Sequence, residues 1–279
     1  MMNVTLWGVR GSIPTTGSNT KLFGGHTSSV LVSEDDDLLV LDAGSGIQSF
    51  NSAQVSPVKR VDILLTHLHM DHIQGLGFFN PFFIPELEVH IWGPASSKGN
   101  LLSQLGRYLS PPLFPVRLKE LPCKLTLHEV GNTEFQIGHF KIKSSYIIHP
   151  GPTLGYRIEG NQSVFAYLPD HEPALARNGI IPDKQWVSGF DIAAYADLLY
   201  HDGQYTSDEY AARIGWGHSS LDDVLQFASI TETKHLLIGH HDPSHSDARL
   251  AELFVELKKS NKLNFQFEMA VEGREFGLA

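Results

Sequence analysis

The chain has 279 residues, enough for one large domain or two small ones, and at 42% hydrophobic it can bury a substantial core. Its formal net charge of −10, from 31 acidic against 21 basic residues, argues against a broad electrostatic grip on long nucleic acid, which needs clustered lysine and arginine. The single cysteine, Cys123, excludes an internal disulfide framework and any thiolate-rich zinc site, and it fits a reducing compartment. No apolar stretch approaches the length of a membrane span, and Met1–Gly8 lacks the basic start and apolar core of a leader. A soluble, cytoplasmic protein with no membrane partner is expected.

Taken in chain order, the early apolar segments read as strands separated by glycine-rich turns: Asn3–Trp7, Ser28–Val32, Leu38–Leu41 and Val61–Leu65. Leu87–Trp92 follows, inside a proline-rich, irregular stretch from Gly75 to Pro122 that reads as an elaborated cover over one face. Within it, Ser97–Tyr108 has a helical pattern. Phe135–Ile148 reads as one long strand, then Gly155–Ile158, Val164–Leu168, Asp197–His201, Leu236–Ile238 and Leu263–Ala270 as shorter ones. Leu221–Ser229 reads as a helix with Ser220 as its N-cap and Asp223 three residues on, close to a capping box. Asp247–Lys259 carries a helical stripe of Leu250, Ala251, Phe254, Val255 and Leu257. Strands dominate early and helices enter between later strands, which implies layered α/β sheets. With no repeat or long linker, residues 1–279 read as one domain, elaborated at about 75–122.

The segment Thr66-His67-Leu68-His69-Met70-Asp71-His72 follows an apolar strand and packs imidazoles and a carboxylate into a few residues. A buried histidine needs a hydrogen-bond partner and an ionised aspartate a charge partner, so core packing explains the cluster poorly. Imidazole and carboxylate suit zinc, manganese or iron. In a strand alternate residues share a face, so His67 and His69 can point together, with Asp71 and His72 on the following turn within reach of a second ion. Four residues cannot close two coordination spheres. His149, Asp170 and His240 each stand at the end of a later apolar strand, and together with His67–His72 they favour a dinuclear centre.

These pieces, with Asp42-Ala43-Gly44-Ser45-Gly46, Leu168-Pro169-Asp170, Gly217-His218-Ser219-Ser220 and Gly239-His240-His241-Asp242-Pro243, resemble the metallo-β-lactamase-fold hydrolases, specifically their ribonuclease Z and phosphodiesterase branch. The resemblance spans nearly the whole chain in the family's order. It implies an α/β fold of four layers, an αββα sandwich with the metals at one sheet edge. It further implies that His67, His69 and His149 hold the first ion, that Asp71, His72 and His240 hold the second, and that Asp170 bridges them. His241 competes with His240; the position directly after the strand favours His240 and leaves His241 to orient a ligand or touch substrate. Asp42 is a candidate to orient a ligating histidine, or else a turn residue, and Asp202 is open in the same way.

Two divalent cations sharing a carboxylate can share a hydroxide and neutralise a phosphoryl group during in-line displacement, so a metal-dependent hydrolase is expected. Zinc comes first, with manganese or iron as alternatives. Asp71 is a candidate to orient the nucleophile, with Asp170 the alternative, and His218, on a glycine-flanked turn before a helix, to protonate the leaving group. Phe78, Phe79, Phe82 and Phe83 could form an apolar wall for an organic group, though core packing or a subunit interface is the commoner use of such residues. His26 reads equally as a turn residue or a neighbour of the metals. The expected substrate is a small or cyclic phosphodiester, because the balance is acidic and no basic Gly-Pro-rich arm interrupts the ligands. A ribonuclease Z-like nuclease is the first alternative, a lactamase or thioesterase is weaker, and a degenerate ligand-binding member is the non-enzymatic one. A homodimer, the commonest symmetric assembly, would suit the family.

Overall fold

Short apolar strands build two seven-stranded sheets in the computed structural model, which describes residues 1–50, 59–173, 175, 180, 184–260 and 263–279. The first sheet contains β1 (Met2–Gly8), β2 (Ser29–Glu34), β3 (Asp37–Leu41), β4 (Arg60–Leu64), β5 (Glu88–Pro94), β6 (Lys124–Val130) and β14 (Glu275–Leu278), in the order β14-β1-β2-β3-β4-β5-β6. The second contains β7 (Thr133–Ile137), β8 (Phe140–Tyr146), β9 (Leu154–Glu159), β10 (Val164–Leu168), β11 (Leu198–Asp202), β12 (His235–Gly239) and β13 (Gln266–Met269), in the order β13-β12-β11-β10-β9-β8-β7. The helices are α1 (Met70–Ile73), α2 (Leu101–Tyr108), α3 (Phe190–Ala193), α4 (Ser207–Ala211), α5 (Leu221–Ile230) and α6 (Asp247–Ser260).

Alternation along the strands sorts the apolar side chains into three buried layers. Val30, Val32, Leu39 and Leu41 meet Phe165, Tyr167, Leu198 and Tyr200 between the sheets. Leu31, Val40, Ile63 and Ile91 face the other way, against Ile73 of α1 and Leu101 and Leu105 of α2. Ala166, Leu168, Leu199 and Ile238 pack against Val224 and Phe227 of α5 and Leu250 and Leu253 of α6. Strands covered on both faces are apolar at successive positions, which is why β4, β10 and β12 read as continuous hydrophobic runs. Three apolar layers separate four structural ones, giving the αββα sandwich.

Several boundaries differ from the sequence reading. Phe135–Ile148 is not one strand: Gly138 adopts φ 55° and folds the segment into the β7–β8 hairpin, with Ile137 opposite Phe140. The expected helix Ser97–Tyr108 starts only at Leu101, where Asn100 caps it by accepting from Ser103 N at 2.8 Å. Strands β6 and β14 carry weak alternation and escaped the sequence reading; their pairing with β5 and β1 stabilises them. Ser220 does cap α5, accepting from Asp223 N and donating to the Asp223 carboxylate. Of the four phenylalanines after the metal motif, Phe79 and Phe82 are 1% exposed in the outer apolar layer, so they are core rather than an apolar wall. Among the described residues no helix is long and apolar enough to cross a membrane.

Strand direction decides where function can gather. β3, β4 and β5 run parallel in the first sheet, and β10, β11 and β12 run parallel in the second. Their C-terminal ends therefore share an edge in each sheet, and in open α/β sheets that edge is where ligands bind. Across the sheets, Leu154 N donates to Thr66 O at 2.9 Å and Tyr156 Oη donates to Leu65 O at 2.9 Å, which clamps the loop after β4 onto β9.

The layered packing is checked by paired truncations. Phe82→Ala should lower unfolding free energy by about 3–5 kcal/mol in urea titrations. Phe78→Ala, at a residue 72% exposed, should change it by no more than about 0.5 kcal/mol. Equal effects would contradict the assignment of Phe82 to the outer core.

Candidate metal centre

Every segment that carries a candidate ligand begins where one of these strands ends. His67 lies in the loop after β4, and His69 is the N-cap of the four-residue helix α1, with Asp71 and His72 in its first turn. His67 and His69 thus converge through a loop and a helix start, not by strand alternation as the sequence suggested. His149 sits on the turn after β8, Asp170 two residues past β10, and His240 directly after β12 with φ 55°. That left-handed turn separates His240 from His241.

The side chains form two groups. Donor atoms of His67, His69 and His149 lie within 4.8 Å of one another, as do those of Asp71, His72, Asp170 and His240. Asp170 lies between the groups and faces each with a different oxygen. Its Oδ2 is 3.8 Å from His67 Nε2 and 3.6 Å from His149 Nε2. Its Oδ1 is 2.9 Å from His72 Nε2 and 3.2 Å from His240 Nε2. Asp71 Oδ2 is 3.2 Å from His240 Nε2 and 3.4 Å from His72 Nε2. His67 Nε2, His72 Nε2 and Asp170 Oδ1 are buried and have no hydrogen-bond partner. Orphaned polar atoms are costly inside a protein, and these converge on one place. The residues therefore fit two divalent cations, with imidazole and carboxylate donors of the kind zinc, manganese and iron accept.

The atoms on the far side of each ring are anchored. His72 Nδ1 is 2.8 Å from Asp42 Oδ2, and Asp42 also accepts from Thr66 N at 2.8 Å and from Thr66 Oγ1. His149 Nδ1 donates to Gly217 O at 2.8 Å, and His240 Nδ1 donates to Gln204 Oε1 at 3.1 Å. Such outer bonds fix the tautomer that leaves the opposite nitrogen free for a cation. Ser12 N donates to Asp71 Oδ2 at 2.8 Å. His218 Nδ1 is 2.7 Å from Asp202 Oδ2, and its ring stacks on His240 with centroids 4.9 Å apart. A residue the sequence reading passed over, Glu172, accepts from Gly215 N and Gly217 N and so holds the loop that carries His218.

Electrostatics splits the two groups. Burial, reinforced by neighbouring imidazoles, pushes His67 well below the ordinary histidine range despite Asp170, and it pushes His149 down to about 4. Burial acts the same way on His72 and His240, but carboxylates outweigh it there. Asp170, Asp42 and Asp71 raise His72 well above its usual value, and Asp170, Asp71 and Asp202 raise His240 to about 9. Burial opposes the ionised forms of Asp71 and Asp170, yet the surrounding imidazoles hold both well below the usual carboxylate range. The first group is a set of neutral donors ready for a cation; the second keeps protons until one arrives.

His241 is not at the centre. Its Nε2 donates to Ala270 O at 2.8 Å, and burial lowers its pKa to about 3, so it has a packing role instead of the orienting or substrate-contacting one expected of it. His26 contacts Ser45 and Gln48, outside both groups. Glu172, Gln204, Ser12 and the Gly217 carbonyl were not legible as site residues. Glu172, Gln204 and Ser12 belong to no motif, Gly217 was noted only as part of the His218 turn, and each reaches its partner across a long stretch of chain.

Four layers with imidazoles and carboxylates gathered at a shared strand edge define the metallo-β-lactamase fold. The family model for the beta-lactamase superfamily domain matches residues 38–241. The chain belongs to that superfamily and is a metal-dependent hydrolase. It is 26% identical to a ribonuclease Z of Haloarcula marismortui over 257 residues, which is 89% of this chain and 76% of that one. Among solved structures it superimposes on the metallo-beta-lactamase fold protein YhfI of Bacillus subtilis with TM-score 0.69 and 19% identity, covering 99% of this chain and 98% of that one. A diphosphatase of the PhnP family gives TM-score 0.69 and 19% identity, with 99% and 96% covered.

Two measurements check the geometry. Because a proton on His240 competes with a cation below a pKa of about 9, metal affinity should rise with pH between about 7 and 9, and uptake should release protons. Calorimetry in buffers of different ionisation enthalpy reads that release, and zero release at pH 7.5 would contradict the protonated second group. Gly217→Ala should weaken the first ion by about 10–100-fold in metal titrations. Gly217 sits at φ 89°, and an added Cβ would collide with His149 Nδ1 and Pro150. Unchanged affinity would show that the Gly217 contact does not position His149.

Proposed function

We propose that this protein is a phosphodiesterase acting on a small or cyclic phosphodiester, with His67, His69 and His149 holding one divalent cation, Asp71, His72 and His240 the other, and Asp170 both. The observation that carries this reading is the divided Asp170 carboxylate, one oxygen turned to each group, beside buried nitrogens that lack any other partner. When bound, paired cations lower the pKa of water and neutralise charge on a phosphoryl group.

The chain's own residues supply the rest. Asp71, fixed by Ser12 N, stands where it can orient a nucleophilic water. His218 is half-buried beside the centre, with Nδ1 on Asp202 and Nε2 left to meet the leaving oxygen. A histidine so oriented is a general acid of ordinary design, worth about 10²–10⁴ in rate. Asp202 plays the orienting part by accepting from that ring, while also accepting from His171 N and Gln204 N.

A diphosphatase of the PhnP family as a structural neighbour is in keeping with phosphoryl-group hydrolysis. A second reading, ribonuclease Z-like cleavage of RNA, draws on the relative from Haloarcula marismortui. The net charge of −10 favours the small substrate, because RNA binding through phosphates requires clustered cations.

The test is a hydrolysis screen of the metal-loaded protein against cyclic nucleotides, a simple phosphodiester, RNA, a thioester and a lactam. Turnover of the small diesters is expected, with little on the thioester and lactam. RNA cleavage with binding that falls steeply with salt would move the assignment to the nuclease. His218→Gln should keep both metals and lose about 10²–10⁴ in kcat on unactivated diesters. Wild-type turnover in that variant would remove His218 from the acid role.

A further inference from the structure

Two further imidazoles are fully buried and belong to neither ligand group. His171 follows Asp170, and His201 lies in β11. His67 Nε2 and His72 Nε2 lack hydrogen-bond partners, whereas all four ring nitrogens of His171 and His201 have them. No nitrogen of this pair is left over for a cation, so buried histidine has a different use here.

The direction of each bond follows from one end of the chain. His201 Nδ1 is 2.7 Å from Asp202 O, and a carbonyl can only accept, so Nδ1 carries the proton. Burial disfavours a second proton on either ring, pushing His201 down to about 4 and His171 well below the ordinary histidine range. His201 Nε2 is therefore bare and accepts from His171 Nδ1 at 2.9 Å. His171 Nε2 is bare in turn and accepts from Ser188 Oγ at 3.1 Å, while Ser188 Oγ accepts from Ile148 N at 2.9 Å. The chain starts at an amide N–H and ends at a peptide carbonyl. Neither group gives up or takes a proton near neutral pH, so the chain fixes positions and does not conduct protons.

The segments it joins are those of the site. Ile148 precedes His149, His171 follows Asp170, and Asp202 Oδ2 is 2.7 Å from His218 Nδ1. The His171 backbone adds two ties: its N donates to Asp202 Oδ2 at 3.3 Å, and its O accepts from Ser219 Oγ at 2.6 Å, one residue past His218. Both rings rest on Phe227 of α5, with centroids 5.3 and 4.8 Å away. Apolar side chains would pack on Phe227 as well, but they could not tie the ends of β8, β10 and β11 together. Gly189, at φ 72°, admits the His171 ring, since a Cβ there would lie 2.8 Å from His171 Cε1.

We infer that His171 and His201, with Ser188, are positioning residues that hold Asp202, and through it His218, in register with the Asp170 end of β10. This rests on the phosphodiesterase reading, in which His218 protonates the leaving oxygen. The proton donor is thereby located relative to the carboxylate that lies between the two ligand groups.

The test separates leaving groups. p-Nitrophenolate departs without a proton and an alkoxide needs one, so zinc-loaded protein is assayed on bis(p-nitrophenyl) phosphate and on cyclic AMP. His171→Leu should lower kcat on cyclic AMP by about tenfold or more with KM and zinc content unchanged, and kcat on the aryl ester by no more than about twofold. His171→Gln, which keeps one donor and one acceptor, should recover most of the loss. Ser188→Ala, a milder change at a half-buried position, should show the same selectivity in smaller measure. Imidazole nitrogen NMR shifts of zinc-loaded wild type, which need no turnover, should report Nδ1–H and a bare Nε2 for both His171 and His201. A proton on Nε2 of either ring would overturn the chain. Equal losses on the two substrates, or full cyclic AMP turnover in Ser188→Ala and His171→Leu, would overturn the positioning role and leave the phosphodiesterase reading standing. Failure of wild type on both substrates would overturn that reading and the positioning role with it.

Discussion

One buried carboxylate organises the molecule. Asp170 is 1% exposed, receives no conventional hydrogen bond on Oδ1, and is held ionised by imidazoles on both sides. A lone ionised carboxylate in such a place would be strongly destabilising. The imidazoles of His72 and His240, within 3.2 Å of its Oδ1, favour its ionised form, and the same donor set fits cations. Charge balance therefore joins folding to metal binding, since the same atoms must be satisfied in either state.

The scaffold meets that demand through strand direction. Ligand candidates come from turns after β4, β8, β10 and β12, drawn from both sheets, and they meet because these turns lie on one edge. The apolar layer between the sheets sets the spacing, and the bonds from Leu154 N to Thr66 O and from Tyr156 Oη to Leu65 O transmit it to the His67–His72 loop. Outer anchors then orient individual rings: Asp42 for His72, Gly217 O for His149 and Gln204 for His240. Glu172 and Asp202 extend the same logic to His218, one holding its loop and the other its ring. These outer partners hold the rings of His72, His149, His240 and His218 from their far sides.

The segment between the metal motif and β6 divides its work by burial. Phe79 and Phe82 fill the outer layer, and Phe50 and Phe79 meet edge to face with centroids 5.1 Å apart. Leu113 and Arg107 face outward and are exposed. A proline-rich stretch with short helices can present both kinds of residue within a few positions, which is why its composition left a binding wall open beside the commoner core or interface reading.

By itself the sequence determined the donor chemistry and the strands that deliver it. His67–His72, His149, Asp170 and His240 are metal-binding types following apolar runs, and runs covered on both faces are recognisable without coordinates. The β7–β8 turn and the strands β6 and β14 were less legible, because local pattern does not record which segment will pair with a neighbour. Of the two adjacent histidines, the family resemblance favoured His240, and the tertiary structure shows how the pair is separated. At φ 55° His240 turns inward while His241 bonds to Ala270 O. Tertiary structure alone decided that Asp202 serves His218 and that Glu172 holds the loop. The physical reason is common to all of these: side-chain direction at a strand end follows backbone torsion and packing from distant segments, and both exist only once the sheets are stacked.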